Sequence, residues 1–173
     1  MIAPSAGAVL GGAPITKTAH DSIHVLVTLT SMHASFGMET VNQWVVQDLA
    51  RQESGTPDSL AYLTESMRLL MTVAQRQKDF GTMCEFELGN QKDNLGQIEA
   101  TIPNLKQLGF FSDKQLAEME KCANLMRFQS AQLESMAGLH AENTFQVSQV
   151  IDRLEERIHA VLHVSPAGKA RRH

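Results

Sequence analysis

The stretch LAEMEKCANLMRFQSAQLESMAGLHAENTFQVSQVIDRLEERIHAV, residues 116–161, decides the fold of this chain. It contains no proline, and apolar or small residues recur in it with the spacing of a heptad repeat. One set of positions is Leu116, Ala123, Ser130, Ala137, Thr144, Ile151 and Ile158, and the other is Met119, Met126, Leu133, His140, Val147, Leu154 and Val161. The pattern predicts one long helix that packs through this stripe as a coiled coil.

A second long helix is predicted to precede it. Heptad positions keep their phase from Leu60 to Ile98. The start is marked by Ser54-Gly55-Thr56-Pro57, which is interpreted as a helix stop at Gly55 followed by an N-cap at Thr56. Pro103 is expected to end this helix, and the glycines between positions 89 and 96 are where it would bend or break.

The next helix begins with a Ser112-x-x-Gln115 capping box, after a turn that contains Gly109. Upstream, apolar residues at helical spacing predict two shorter helices, with Gly37 as the stop between them. Trp44, in the second of these, is interpreted as a core anchor. The predicted fold class is therefore all-α: an elongated antiparallel hairpin of two long coiled-coil helices with two shorter N-terminal helices.

The chain is expected to form one domain between two tails. Residues 1–17, rich in glycine, alanine and proline, are predicted to be a flexible N-terminal arm. Residues 18–164 are predicted to be a single helical domain, and residues 165–173 a short basic C-terminal tail. With 173 residues the chain can bury a core without disulfides, and its two cysteines are expected to remain reduced.

Charge and hydropathy exclude several partners. The formal net charge is -4 and the charges are mixed in sign, which argues against binding to nucleic acid. No run of 18 apolar residues occurs, so no membrane span is expected. The N-terminus lacks the basic region of a cleavable signal peptide. We expect a protein that is cytoplasmic or is exported by a route without a cleaved signal peptide.

Histidines are the residues that suggest a site. His20 and His24 are four residues apart, as are His159 and His163, a spacing that places two imidazoles on one helix face. Glu156 and His159 form half of a di-iron carboxylate motif, but no second Glu-x-x-His occurs. His140 lies on the long stripe, where it could fix register or be a locally hydrogen-bonded core residue.

No motif predicts catalysis or cofactor binding. The phosphate-binding glycine motifs, the nucleophile motif G-x-S-x-G and C-x-x-C are absent from the sequence. We therefore expect a non-enzymatic protein without a catalytic residue, cofactor or metal ion. The candidates for an interface lie on the long stripe: Ala123, Ser130, Ala137, His140, Thr144, Ile151, Leu154 and Ile158.

In predicted architecture alone, the chain resembles the helical-hairpin subunits of bacterial secretion filaments and of needle or pilus tips. The resemblance implies a structural subunit that assembles into a homo-oligomer or polymer and can contact other proteins. One alternative is an intracellular helical adaptor or chaperone that binds a client protein through an exposed groove. The other is a metal-binding helical bundle that uses the paired histidines.

Overall fold

The computed structural model describes residues 12–163, with side chains from His20 onward. Three helices make up this range: α1 (Gly12–Glu53), α2 (Leu60–Leu108) and α3 (Asp113–His163). The range contains no β-strand, which confirms the all-α prediction. Within it, no helix combines the length and apolar character needed to cross a membrane.

The prediction of two shorter N-terminal helices is wrong, because α1 continues through Gly37. A Cβ atom at this position would lie 2.5 Å from Nε2 of Gln77. Glycine thus leaves room for the close approach of the Gln77 side chain on α2, and it does not stop the helix. The predicted arm, residues 1–17, overlaps α1 from Gly12 onward. The remainder of the arm and the basic tail lie outside the described residues.

The turn between α1 and α2 contains the predicted helix stop but a different N-cap. Gly55 has φ of 70°, and its N–H donates to the carbonyl of Gln52 while Thr56 N–H donates to the carbonyl of Arg51. These two bonds form a Schellman motif with glycine at C′. The N-cap of α2 is Ser59, whose Oγ accepts from Tyr62 N–H at 3.2 Å, so the assignment to Thr56 is wrong.

The prediction that Pro103 ends the second long helix is also wrong, because α2 continues to Leu108. A proline removes a single N–H, and contacts on both sides of it hold the following turn in place. Ile102 is buried, and Nζ of Lys106 lies 2.7 Å from Oε1 of Glu120 on α3. The helix ends before Gly109, which has φ of 67°. It is also continuous through Gly89 and Gly96.

The predicted capping box at the start of α3 is confirmed. Ser112 N–H donates to Oε1 of Gln115 at 2.9 Å, and Gln115 N–H donates to Oγ of Ser112 at 3.4 Å. The two residues thereby satisfy backbone groups that the first helical turn leaves without partners.

Contacts divide the chain into two compact units, and all three helices contribute to each. The first unit comprises residues up to Met32 together with Thr82–Gly138. Its core contains Ile23, Cys84, Leu133, Met136 and Ala137. The second unit comprises His33–Gly81 and the residues from Leu139 on. Its core contains Val41, Trp44, Leu63, Leu70, Val73, Val147 and Leu154.

Trp44 is the core anchor that the sequence predicts. It is buried in the second unit, and its Nε1–H donates to Oγ of Ser66 at 2.9 Å. The bond gives the indole nitrogen a partner, which a buried tryptophan needs. In the first unit, both cysteines are thiols, and burial raises the pKa of the Cys84 thiol.

Candidate interaction surface

The eight interface candidates on the long stripe all pack within the chain. Five are buried and three are half-buried. Ala137 belongs to the core of the first unit, whereas Ile151, Leu154 and Ile158 belong to that of the second. Their side chains are used to hold α3 in place. The five buried candidates therefore have little surface left for another molecule, whereas Thr144, Ile151 and Ile158 remain partly accessible.

The candidate metal ligands remain dispersed. Nδ1 of His20 lies 3.6 Å from Oδ1 of Asp21, and His24 is exposed. In the second unit the rings of His159 and His163 stack with centroids 6.2 Å apart, and Glu156 is exposed. Among the described residues, no group of three or more histidines, cysteines or carboxylates is placed to hold a metal ion. The metal-binding bundle therefore stays an alternative that no described contact supports.

Sequence reasoning missed an apolar stripe on the outward side of α1. Val25, Leu29 and Met32 are 55%, 50% and 63% exposed, and their spacing of four and three residues puts them on one face. Met32 is nine residues beyond the buried Ile23, which at about 100° per residue places it roughly on the opposite side of the helix. We call Val25, Leu29 and Met32 the outer stripe.

The residues around the outer stripe carry almost no charge. Between Asp21 and Glu39 the sequence contains no aspartate, glutamate, lysine or arginine. Solvent-facing helix positions usually carry charged or polar residues, and a helix that is apolar on both sides is usually buried. This uncharged run is the sequence signal that could have revealed the stripe. It extends over several helical turns and so covers every side of the helix, including the side that does not face the core.

Other large apolar side chains are exposed in both units. In the first unit they are Phe86, Leu108, Phe110 and Phe128. In the second they are Phe36, Val46, Leu49, Leu60, Leu69, Met71, Leu139, Phe145 and Leu162. Single exposed apolar residues are normal on protein surfaces, but a row of them on one face is typical of an interaction site. The outer stripe is the clearest such row among the described residues.

A polar layer interrupts the interior of the second unit. His140 is fully buried, and its Nδ1 contacts Oε1 of Gln77. Nε2 of Gln77 donates to the carbonyl of Ala34 at 3.2 Å, so the layer connects all three helices. The ring of Phe80 stacks between His33 and His140, with centroid distances of 4.4 and 5.9 Å. A buried polar layer of this kind restricts helix register.

An ion cluster at the α1–α2 turn fixes the second unit further. The guanidinium of Arg157 binds the carboxylates of Asp48 and Asp58, with N–O distances of 2.6 to 3.0 Å. Tyr62 and Gln52 also donate to Asp48. Burial alone would raise the pKa of Asp48, but the hydrogen bonds from Arg157, Tyr62 and Gln52 outweigh it and lower that pKa. The Asp48 carboxylate is thus ionised, and both of its oxygens accept hydrogen bonds within the cluster.

The same cluster raises the pKa of two of its other members, Tyr62 and Arg157. Burial and the nearby Asp48 raise the pKa of Tyr62, so the phenol stays neutral and donates. The two carboxylates raise the pKa of Arg157, which stays charged. The guanidinium of Arg51 lies 3.7 Å from the centre of the Tyr62 ring. Each of these side chains contacts another member of the cluster, which is consistent with structural stabilisation.

Comparisons with known proteins do not place the chain in a family. No protein-family model matches it, and neither the curated proteins nor the solved structures contain a significant match.

Proposed function

We propose that the protein is a non-enzymatic structural subunit that assembles with copies of itself through the outer stripe of α1. The assembly type we favour is a helical one, comparable to a secretion filament, a needle or a pilus tip. The observation that carries the proposal is the row of Val25, Leu29 and Met32, each at least half exposed on a helix face that lacks formal charge.

The energetics favour covering this face. Full burial of a valine, leucine or methionine side chain contributes about 1.5–3 kcal/mol relative to exposure. The absence of charged side chains between Asp21 and Glu39 means that two copies can bring their stripes together without burying unpaired charges. Apolar side chains at helical spacing are also the anchors that helices use when they pack on a partner helix or groove.

We also infer that α2 and α3 form an antiparallel hairpin of coiled-coil type. In the first unit, Lys92 pairs with Glu134, Glu99 with Arg127, and Lys106 with Glu120. Across these three pairs the residue number on α2 increases while that of its partner on α3 decreases, which supports an antiparallel arrangement. Buried residues at heptad-related positions, such as Leu133, His140, Val147 and Leu154, support coiled-coil packing. Such a hairpin would give the subunit a rigid frame.

An adaptor or chaperone is the second candidate, because exposed phenylalanines also suit a client-binding surface. Phe86, Phe110 and Phe128 are all more than half exposed in the first unit. An adaptor would present exposed apolar side chains of this kind to a different protein and would remain a discrete monomer or dimer by itself. The two functions therefore differ in how the purified protein behaves as its concentration rises.

Size-exclusion chromatography with light scattering across a concentration series tests the proposal. Self-assembly predicts a mass that increases with concentration, with filaments or rings visible by negative-stain electron microscopy. A constant monomer or dimer mass at every concentration would contradict self-assembly and favour the adaptor function.

A further inference from the structure

The turn between α2 and α3, in the first unit, carries the most exposed large apolar side chain among the described residues. Phe110 is 83% exposed, and Leu108 at the end of α2 is 57% exposed. Gly109 lies between them with φ of 67°, a left-handed conformation that ends the helix. Phe111 completes the turn and is half-buried. We call residues 108–111 the apolar turn.

Both helices end at the apolar turn, and the charges next to it balance. Nζ of Lys106 lies 2.7 Å from Oε1 of Glu120, so the last turn of α2 lies beside the beginning of α3. The six residues between Lys106 and Asp113 carry no formal charge, and Lys114 follows Asp113 directly. Two positive and two negative side chains therefore border the turn. Its surroundings favour neither an acidic nor a basic partner.

The apolar turn is too small for a stable contact with another protein. A covered phenylalanine buries about 150–250 Å², so Phe110 and Leu108 together offer on the order of 300 Å². A stable protein interface buries roughly 800 Å² on each partner. Residues 112–115 are polar or charged and exposed, so the apolar area does not continue along α3. A lipid bilayer differs from a protein partner, because it needs no surface of matching shape to receive a few apolar side chains.

We propose that the apolar turn inserts into the interfacial region of a lipid bilayer. Leu108 and Phe110 enter the boundary between headgroups and acyl chains, and the ammonium groups of Lys106 and Lys114 stay at the level of the headgroups. Insertion ends there, because the hydrocarbon centre offers no hydrogen-bond partners to the backbone of a turn. The apolar side chains supply the attraction, since the bordering charges balance. The proposal does not depend on the self-assembly proposed above.

Flotation of the full chain with phosphatidylcholine vesicles on a density gradient tests the proposal. Flotation distinguishes chains bound to lipid from large assemblies, which do not float without it. We expect the wild type to float with the vesicles, and its affinity to change by less than about twofold when salt or phosphatidylserine is added. A wild type that does not float, or that floats only with phosphatidylserine vesicles and is released by salt, would overturn the proposal.

Substitutions identify the part of the chain that contacts lipid. Phe110→Ser should lower the affinity for the vesicles by at least about tenfold. The circular dichroism spectrum should not change, because this side chain is exposed. Phe128→Ser is the matched control on a helix face of the same unit, where Phe128 is 60% exposed, and it should bind like the wild type. Leu29→Glu should also bind like the wild type. Wild-type affinity in Phe110→Ser, or loss of flotation in Leu29→Glu, would overturn the proposal.

A fluorescent reporter measures insertion directly. Phe110→Trp and Phe128→Trp each add one tryptophan, and the native Trp44 is buried in the second unit and serves as a constant background. Vesicles of brominated phosphatidylcholine should quench the added tryptophan of Phe110→Trp and leave that of Phe128→Trp unquenched. Equal quenching of the two variants would overturn the proposal. A mass that increases with concentration in the wild type but not in Phe110→Ser would assign the turn to a protein contact and would also overturn it.

Discussion

The Nδ1 atom of His140 lies 2.5 Å from Oε1 of Gln77 in the interior of the second unit. Nε2 of Gln77 donates to the carbonyl of Ala34, which leaves Oε1 to face the imidazole ring. Since Oε1 can only accept, Nδ1 of His140 carries the proton of this bond. Two side chains that are 63 residues apart thereby connect α2 to α3, while the same glutamine connects α2 to α1.

Because the two residues share one buried bond, we predict that His140→Leu and Gln77→Leu are coupled. Each single substitution leaves a buried polar atom without its partner and should lower the free energy of unfolding by about 1–3 kcal/mol. The double substitution removes both atoms and should cost less than the sum, by about 1 kcal/mol. Urea unfolding of the four proteins measures this. Additivity within about 0.5 kcal/mol would show that the bond contributes little.

Glycine positions offer a second prediction with a control in the same fold. Gly37→Ala puts a Cβ 2.5 Å from Nε2 of Gln77, so it should destabilise the protein by about 1–3 kcal/mol. Gly96→Ala meets no described atom within 4 Å inside a continuous helix, and it should stabilise by about 0.5–1 kcal/mol. Thermal unfolding distinguishes them. Equal shifts would mean that Gln77 moves aside freely.

The packing of α3 makes a third prediction. Ala137 is buried in the core of the first unit, so Ala137→Leu should lower the free energy of unfolding by about 1–3 kcal/mol. Ala131, on the exposed side of the same helix, is the control, and Ala131→Leu should change stability by less than about 0.5 kcal/mol. An unchanged unfolding midpoint for Ala137→Leu would indicate that this part of α3 faces solvent.

Acid should weaken the ion cluster in a defined direction. The pKa of Asp48 is lower in the folded protein than in the unfolded chain, so its contribution to stability is present above about pH 4. That contribution is lost as the pH falls further, through the folded-state pKa. Stability measured by urea unfolding between pH 6 and pH 2 should therefore decline less steeply in Asp48→Asn than in the wild type. Identical slopes would exclude Asp48 as a source of the acid sensitivity.

The sequence predicted the helical class, the end of α1 and both ends of α3, because these depend on local signals. The stripe from Leu116 to Val161 lies in one helix, and the stop at Gly55 and the capping box at Ser112 are both confirmed. The prediction at Gly37 was wrong because a glycine can either end a helix or leave room for a side chain of a neighbouring helix. Only the position of Gln77, forty residues away, decides between the two.

The candidate surface was missed for a related reason. Heptad analysis selects residues that pack in the core, so the interface candidates that it gave are buried or half-buried within the chain. Val25, Leu29 and Met32 fall in one of the two shorter helices that the sequence predicted. The apolar residues of such a helix are expected to face the core. The Asp48–Arg157 contact joins residues that are 109 positions apart, and no local pattern identifies the partner of either one.

Sedimentation velocity of the wild type, Leu29→Glu and Asn90→Glu tests the central claim most directly. Leu29→Glu places a charge in the outer stripe, whereas Asn90→Glu places one on the exposed side of α2 in the same unit. We predict that the wild type and Asn90→Glu form concentration-dependent assemblies, and that Leu29→Glu stays monomeric with an unchanged circular dichroism spectrum. Assembly of Leu29→Glu to the same extent as the wild type, or a wild type that is monomeric at every concentration, would contradict the account.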